Sequence, residues 1–547
     1  MKIKIFATFF LQFIYISILD AQVTQDWVTR YNSSGNKQDV VSSMVIDDSG
    51  NVYVTGYTYT DSYSGDEDFL TIKYNSSGIQ QWVQTYNSSL DSTDEASAIA
   101  VDNVGNVYVT GSSIGNEWGD LDWVTIKYNS AGIEQWLHRY APLGSGEPTS
   151  IAADKSGFVY VSGGTDNTEN GWLQFTTIKY DAAGVPMWIT SEPFIGWKVA
   201  AMKVDISGNV YVTGPGWLGS LCGDDYNYVT IKYNPSGVKQ WESFYNGLTD
   251  CSDDESKSIA LDGLGNVYVT GSSEGSKYGD NDFLTVKYDS YGNQVWTARY
   301  DGPDSLSDDA YSIAVDSSEN VFVTGRSNAI ATGYDYATIK YNSSGVQKWV
   351  QRYDGPSNND DIPHDLVLDA LGNVYVTGQS QQWLNDYVTI KYNFSGVQQW
   401  LQRYNGPSSG EDIAVSVKVS SSGNVFVSGT SFGSGTGMDY ATIKYSQSPT
   451  AVNQSTSNLP AEYLLAQNYP NPFNPVTTIK YSIAKEGNVK LTVYNVIGSK
   501  IATIVNEYKP AGNYSIQFNG SNLASGIYLY RLESGNYSTA KKFILMK

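Results

Sequence analysis

Cysteine and histidine are scarce in this sequence, with two residues of each among 547. So few thiols and imidazoles argue against a His-based catalytic triad and against a metal site built from these ligands. His138 lies on a tryptophan-led strand and His364 follows a proline, and neither has a Ser or Cys signature beside it. The sequence therefore predicts no catalytic residue and no metal site with a specific motif.

Charge is also sparse, and basic charge is the scarcer kind. Asp, Glu, Lys and Arg make up 16% of the residues, and the net charge is −22. The acidic excess lies in the middle of the chain, because residues 462–547 hold nine Lys or Arg and four Asp or Glu. A chain with so acidic a body is not expected to bind nucleic acid, since phosphate contacts need Lys and Arg.

Long apolar runs are absent after the first 21 residues. Lys2 and Lys4 precede an apolar run from Ile5 to Leu19, and Leu19-Asp20-Ala21 resembles a cleavage site. This pattern predicts a signal peptide over residues 1–21, an exported protein, and no transmembrane segment in the mature chain. In an exported chain, Cys222 and Cys251 are expected to form a disulfide.

What the sequence does contain is a seven-residue phrase, Gly-Asn-Val-Tyr-Val-Thr-Gly, that recurs about every 50 residues. It is complete at 50–56, 105–111, 208–214, 265–271 and 372–378, with variants at 157–163, 319–325 and 423–429. An Ile-Ala-Val-Asp type strand precedes it; Thr-Ile-Lys-Tyr and a strand opened by Trp follow it. Four short strands per unit, joined by Asp/Asn-x-x-Gly turns, are typical of a β-propeller blade.

The copies predict eight blades over residues 23–446, with seven as the alternative. The eighth unit lacks a Trp strand after Tyr445, and the strand at Trp27 precedes every other unit. We therefore expect Trp27–Tyr31 to complete the last blade as its outer strand, which closes the ring.

The composition of the sequence changes after Tyr445. Residues 447–461 are rich in Ser, Thr, Asn and Pro and predict a linker. Residues 462–547 hold the phrase Asn-Tyr-Pro-Asn-Pro-Phe-Asn-Pro and five alternating stretches, at 489–496, 500–505, 514–518, 526–532 and 542–546. That pattern favours a small immunoglobulin-like β-sandwich, so the whole chain is predicted to be all-β.

Two resemblances follow from these phrases. The repeats at 23–446, with IAVD..GNVYVTG and TIKYN..G..QW, resemble the bacterial SBBP β-propeller repeat family. NYPNPFNP, LTVYNVIGSKIATI and LASGIYLYRL resemble the type A C-terminal sorting domain of the type IX secretion system, found in Bacteroidetes-like bacteria. The second resemblance implies recognition of 462–547 by the outer-membrane secretion machinery, and then release or attachment at the cell surface.

Two sets of acidic residues recur at fixed places in the units. The first precedes the inner strand, where we expect the channel mouth: Asp39, Asp94, Asp254, Asp308, Asp361 and Asp412. The second precedes the third strand: Asp68, Asp122, Asp282, Asp335, Asp386 and Asp439. Either set forms a ring of carboxylates that binds a cation or polar ligand, or it is a structural lock, meaning a set of hydrogen-bond acceptors that hold the blades together. In the lock, the first set pairs with arginines of the Trp strands, at 30, 139, 299, 352 and 403. Neither set has calcium-loop spacing, so no cofactor is predicted.

Five tryptophans depart from the repeat and fall in irregular loops on one face: Trp118, Trp172, Trp197, Trp217 and Trp383. Aromatic rings beside carboxylates suit sugars, although the same rings also pack under long loops. The sequence thus favours an exported binding protein for glycans or surface proteins. A polysaccharide-degrading enzyme that uses carboxylates of this face and a structural surface protein without a ligand are the alternatives.

Overall fold

The computed structural model describes most of the chain: residues 23–60, 66–90, 92–116, 118–167, 172–192, 199–217, 226–247, 252–275, 280–447, 463–468, 470–509, 512–521, 523–535 and 537–546. The chain divides into two compact units, Met1–Ser448 and Pro449–Lys547. The predicted signal peptide and nearly all of the predicted linker lie outside the described residues. In the described ranges, no helix has the length and hydropathy needed to cross a membrane.

The first unit is built from four-stranded antiparallel sheets, of which the described residues form eight. Each sheet begins with an inner strand and ends with an outer one. The strands are β2 Asp39–Ile46, β3 Val52–Tyr59, β4 Glu67–Tyr74 and β5 Gln80–Tyr86 in sheet 1; β6 Asp94–Val101, β7 Val107–Ile114, β8 Leu121–Tyr128 and β9 Glu134–Tyr140 in sheet 2; β10 Gly146–Ala153, β11 Val159–Asn167, β12 Trp172–Tyr180 and β13 Pro186–Glu192 in sheet 3; β14 Ala201–Val204, β15 Val210–Trp217, β16 Tyr226–Tyr233 and β17 Lys239–Tyr245 in sheet 4; β18 Asp254–Leu261, β19 Val267–Glu274, β20 Asn281–Tyr288 and β21 Gln294–Tyr300 in sheet 5; β22 Asp308–Val315, β23 Val321–Ala329, β24 Gly333–Tyr341 and β25 Gln347–Tyr353 in sheet 6; β26 Asp361–Leu368, β27 Val374–Gln381, β28 Asn385–Tyr392 and β29 Gln398–Tyr404 in sheet 7; and β30 Asp412–Val419, β31 Val425–Gly433 and β32 Gly437–Gln447, with β1 Val23–Tyr31 as outer strand, in sheet 8.

The repeated phrase forms the second strand of each sheet, and both of its faces are buried. Val52, Tyr53 and Val54 are all 0% exposed, although they point to alternate sides. Both sides are apolar because every sheet packs against a neighbour on each face. A separate hydrophobic cluster fills each interface between neighbouring sheets, and one of these lies between sheets 8 and 1. The sheets therefore form a β-propeller.

The N-terminal strand completes the last sheet, as the sequence predicts. β1 pairs antiparallel with β32, from Val23 opposite Gln447 to Tyr31 opposite Tyr440. Across the next interface, the Val41 amide donates to Thr430 Oγ1 (3.0 Å), which joins sheet 1 to sheet 8. The two ends of the unit are thus held by hydrogen bonds within one sheet, and each of the eight sheets that its described residues form has four strands.

The Asp-x-x-Gly segments between first and second strands are turns, as predicted. In sheet 2, Asp102 Oδ1 accepts from the amides of Val104 and Asn106 (3.0 and 2.8 Å), and Tyr108 donates its hydroxyl hydrogen to Asp102 Oδ2 (3.0 Å). Gly105 has φ of 84°, a conformation that glycine adopts at little cost. These carboxylates therefore accept hydrogen bonds within their own turns and have a structural role.

The repeated tryptophans join each sheet to the next. Trp82 of sheet 1 lies over the turn between the third and fourth strands of sheet 2, and its indole N–H donates to Ser130 O (3.3 Å). A Cβ added at Gly132 would stand 2.7 Å from the Trp82 ring, so the turn needs glycine there. Lys73 donates to the same Ser130 oxygen (3.0 Å). Six further tryptophans, at 27, 136, 188, 241, 296 and 349, make the equivalent contacts.

Trp400 of sheet 7 has no such turn to cover, because β1 and β32 of sheet 8 are distant in sequence. Gln447 takes the place of the turn: its Oε1 accepts from the Trp400 indole (3.2 Å) and from Lys391. Its Nε2 donates to Gly423 O (2.8 Å). The Gln447 side chain therefore accepts the hydrogen bonds of Trp400 and Lys391, whose equivalents in the other sheets donate to a backbone carbonyl of a turn.

The second unit is a sandwich of two antiparallel sheets around one core. One sheet holds β33 Leu464–Leu465, β34 Val476–Ile483 and β37 Gly512–Asn519, and the other holds β35 Gly487–Asn495, β36 Lys500–Lys509, β38 Gly526–Ser534 and β39 Tyr537–Leu545. Phe473, from the phrase rich in Asn and Pro, is 2% exposed and packs on Phe518 and Phe543. Its amide donates to Ile544 O (3.0 Å), so the phrase ties the start of the domain to its last strand.

Candidate functional site

The irregular connections emerge on one face of the propeller, which we call the loop face. It carries the links between second and third strands and the links from one sheet to the next, because both lie at the start of the inner strands. The short Asp/Asn-x-x-Gly turns lie on the opposite face, the turn face. Function is usually carried by such irregular loops on a rigid scaffold.

The six recurring aspartates of the first set begin the inner strands at the loop face, and all are 0% exposed. Each accepts a hydrogen bond from a backbone amide in the connection that precedes it. The donors are the amides of Ser33, Ser88, Gly247, Gly302, Gly355 and Gly406. Their burial favours the structural alternative: these carboxylates fix the connections between sheets.

The arginines of the Trp strands pair with the second acidic set, not with the first. Arg139 Nη1 donates to Asp122 Oδ2 (2.9 Å), and its Nη2 donates to Ser113 Oγ (2.6 Å) and to the hydroxyl of Tyr86 in sheet 1 (2.9 Å). The same Arg–Asp pair recurs with Arg30–Asp439, Arg299–Asp282, Arg352–Asp335 and Arg403–Asp386. All five arginines also hydrogen-bond to a tyrosine hydroxyl of the preceding sheet. This network too belongs to the scaffold.

Burial changes the pKa of the first-set carboxyls. Desolvation raises the pKa of Asp254, Asp308 and Asp361 to about 6, although nearby hydroxyl and amide donors lower it in part. Desolvation also raises the pKa of Asp39, Asp94 and Asp412. The folded protein therefore binds protons at these carboxyls at a pH where the unfolded chain has lost them.

We expect the protein to unfold at a higher temperature at pH 5 than at pH 8. A carboxyl with a raised pKa in the folded state stabilises the fold at low pH, and this contribution is lost as the pH rises through about 6. Because the unfolded carboxyls are already ionised at pH 5, the loss between pH 5 and 8 corresponds to about one pH unit, or about 1 kcal/mol for each of Asp254, Asp308 and Asp361. Burial lowers the pKa of His138 and His364, which opposes the effect below pH 6.5.

Calorimetric melting between pH 5 and 8 measures this, with D361N as the matched variant, because asparagine keeps an oxygen that can accept the Gly355 amide. The slope of melting temperature against pH is expected to be shallower in D361N. A melting temperature that climbs steadily from pH 5 to 8 in the native protein contradicts the assignment.

The described tryptophans of the predicted site lie far apart on the loop face. Trp118 lies between β7 and β8 of sheet 2 and is 91% exposed; Trp383 lies between β27 and β28 of sheet 7 and is 90% exposed. Sheets 1 and 8 stand between them. Trp217 ends β15 of sheet 4 and is half-buried. Trp172 begins β12, but its side chain, like Trp197, Cys222 and Cys251, lies outside the described residues. The predicted disulfide thus stays a prediction.

Two groups of three carboxylates could offer oxygen ligands to a cation: Asp282, Asp301 and Asp308, and Asp335, Asp354 and Asp361. Within each group the oxygens lie within 4.8 Å of one another. Arg299 and Arg352 already neutralise one carboxylate in each group. The middle residue is Asp only at these two junctions of the sequence; the other six units carry Asn32, Asn87, Ala141, Pro193, Asn246 and Asn405 at the same place.

Three charged residues inside the propeller are not among the residues predicted from the sequence. Lys203, Asp365 and Lys418 lie on inner strands of sheets 4, 7 and 8 and face the central channel. A comparison of the repeats position by position contains the signal, because Lys203 and Lys418 replace the Ala or Val found at that position in the other inner strands.

Comparison with known families agrees with the sheets and with the second unit. Four segments, at 26–64, 81–117, 252–279 and 295–330, match the beta-propeller repeat model, SBBP. Residues 467–546 match the secretion system C-terminal sorting domain. Among curated protein sequences, no significant match is found.

Several solved structures share a distant likeness. The surface component PorZ of the Porphyromonas gingivalis type IX secretion system is 12% identical and aligns over 92% of this chain and 70% of its own, with a TM-score of 0.37. Sqt1 of Chaetomium thermophilum is 9% identical over 78% of this chain and 100% of its own, with a TM-score of 0.46. The β-propeller domain of the Pyrococcus furiosus trilobed protease is 9% identical over 68% and 93%, with a TM-score of 0.36. Because these TM-scores lie below 0.5, the assignment of a β-propeller rests on the sheets and on the hydrophobic clusters between them.

Proposed function

Since the chain is a β-propeller repeat protein with a type IX secretion sorting domain at its C-terminal end, we propose that it is an exported protein that binds extended glycans at its loop face. The sorting domain directs it to the cell surface or the extracellular space and implies contact with the secretion machinery. The observation that carries the binding proposal is the exposure of Trp118 and Trp383, at 91% and 90%.

Exposure sets these two rings apart from the tryptophans of the repeat. The repeated indoles each donate to a neighbouring sheet, whereas Trp118 and Trp383 offer nearly their whole surface to solvent. A flat apolar ring face is the surface on which a sugar ring stacks. Because sheets 1 and 8 separate the two rings, a polymer can contact both and a single sugar unit cannot.

The loop at Trp118 is shaped to present the ring. Asn116 Oδ1 accepts from the Trp118 amide (2.9 Å), and Asn116 Nδ2 donates to Asp120 Oδ2 (2.8 Å). The turn is thus held from within while the ring projects outwards. Such pre-organisation lowers the entropy lost when a ligand binds.

The buried carboxyls support binding over hydrolysis. Glycoside cleavage needs two carboxyl groups that touch the sugar. The groups with a pKa near 6, Asp254, Asp308 and Asp361, are 0% exposed, so a substrate does not reach them.

A glycan array tests the proposal, followed by titration of the best polymer against W118A, W383A and the double variant. We expect each single variant to bind about tenfold more weakly, since a stacked aromatic ring contributes about 1–1.5 kcal/mol. Y291A is the matched control, because Tyr291 is an aromatic residue 80% exposed on the turn face. Unchanged affinity in the double variant would refute the site. Release of reducing sugar would point to an enzyme, and no binding on the array to a structural role.

A further inference from the structure

The central channel contains a cavity of about 480 Å³ between the inner strands of sheets 4 to 8. Its walls are mostly apolar or small, with Val204, Ala260, Ala314 and Val367 among the lining residues. Ser258 and Ser312 add hydroxyl groups. The volume falls in the range of about 300–1,000 Å³ that is usual for small-molecule sites.

Three departures from the repeat place charge in this cavity. At the position of Lys203 and Lys418, the other inner strands carry only Ala or Val: Val45, Ala100, Ala152, Ala260, Ala314 and Val367. At the position of Asp365, the others carry Ser or Ala: Ser43, Ala98, Ser150, Ala201, Ser258, Ser312 and Ser416. Nothing in the packing of the repeat calls for these charges, because the equivalent strands fold without them.

Asp365 is held by hydrogen bonds to the inner strand of sheet 8. Its Oδ2 accepts from Lys418 Nζ (2.8 Å) and from the Val417 amide (2.9 Å). These bonds and the charge of Lys418 hold the pKa of Asp365 below its usual value, despite burial. Lys418 and Asp365 therefore form a charged pair whose net charge is zero.

Of the three charged side chains, Lys203 is the one that lies outside the pair of Lys418 and Asp365. Among the described residues, none accepts a hydrogen bond from its ammonium group, whereas the ammonium groups of Lys418 and most repeat lysines have an acceptor. Its side chain is open to the solvent of the channel, yet the surrounding protein desolvates it and, together with the charge of Lys418, lowers its pKa. Sheets 4 and 8 face each other across a ring of eight, so Lys203 and Lys418 approach the cavity from opposite sides.

We propose that this cavity binds a small organic monocarboxylate, whose carboxylate pairs with the ammonium group of Lys203. The net charge of the three side chains is +1, which matches a monoanion, and Asp365 repels a second negative charge. The apolar walls at Ala260, Ala314 and Val367 then cover the hydrocarbon part of the ligand. A bare inorganic ion leaves most of the 480 Å³ unfilled. The site does not depend on Trp118 or Trp383.

Isothermal titration of the full chain with acetate, butanoate, benzoate and D-galacturonate tests this, with butanamide and inorganic phosphate as comparison ligands. At least one monocarboxylate is expected to bind at one site per chain with a Kd of about 1 mM or tighter. Butanamide and phosphate are expected to bind at least tenfold more weakly than that acid. Equal binding of the neutral amide, equal binding of phosphate, or no binding by any of the four acids overturns the proposal.

K203A is the decisive variant, because alanine stands at this position in sheets 2, 3, 5 and 6 and the fold accepts it there. We expect K203A to lose at least tenfold in affinity and to keep the native melting temperature or raise it. K348M is the matched control, since Lys348 is exposed on the outer strand of sheet 6. K203A with native affinity overturns the assignment, and so does an equal loss in K348M. Glycan binding at the loop face is expected to be unchanged in K203A, so the two proposals fail independently.

Discussion

Removing the strand Val23–Tyr31 is expected to abolish the cooperative folding of the propeller near physiological temperature. Sheet 8 would keep three strands, and β32 would expose the edge that β1 now covers. Asp439, 3% exposed, would lose Arg30, its ion-pair partner at 2.9 Å. Breaking such a pair from one side costs about 3–5 kcal/mol, a large part of a total stability of about 5–15 kcal/mol.

The strand's other contacts add to that loss. Trp27 covers Gly78 of sheet 1 and donates to Ser76 O (3.2 Å), so its removal uncovers a turn in the next sheet. Circular dichroism melting and limited proteolysis of the deletion variant measure the effect. A peptide of residues 22–36 added in trans is expected to restore part of the transition. Alanine at Thr24 and Gln25, both exposed, is the control for changes in the strand itself. An unchanged melting temperature in the deletion variant would show that β1 does not close the ring.

Deleting residues 462–547 is expected to remove the protein from the cell surface and medium and to leave it in the periplasm. Residues 467–546 match the secretion system C-terminal sorting domain, which directs export across the second membrane. Immunodetection in cell fractions measures the distribution. A surface or medium fraction as large as that of the native chain would contradict the role of the domain.

A point variant separates the fold of the sorting domain from its mere presence. F473A removes a ring that is 2% exposed and packs 5.1 Å from Phe543, centroid to centroid. Phenylalanine-to-alanine changes in a core cost about 3–5 kcal/mol, so F473A is expected to reduce export strongly. I497A is the control, because Ile497 is 83% exposed in the turn before β36. Normal export of F473A would show that a linear signal suffices.

The strands of the propeller could be predicted because the sequence repeats them. Eight copies of one phrase gave its second strand, the turn glycines and the place of Trp27. Gln447 could not be foreseen, because its role arises only where the chain has no turn for Trp400 to cover. In the second unit, β34 was missed, although its partner β37 was expected.

The candidate site was less accessible to sequence reasoning, and for a physical reason. A carboxylate that recurs, such as Asp94, has the same sequence pattern whether it faces a ligand or the Ser88 amide; only the burial of its side chain distinguishes the two. Trp118 and Trp383 stood out because they depart from the repeat. Lys203 departs from the repeat as well. It is a single change inside an inner strand, however, and lies outside the repeated seven-residue motif and its turns, which are the most regular part of the sequence.

Hydroxyl-radical footprinting of the intact protein, with and without its best polymeric glycan, tests most directly whether the loop face binds. We expect the glycan to protect Trp118 and Trp383, which are 91% and 90% exposed in the free protein, and to leave Tyr291 of the turn face as reactive as before. Protection of Tyr291 with both tryptophans still fully reactive would contradict this expectation.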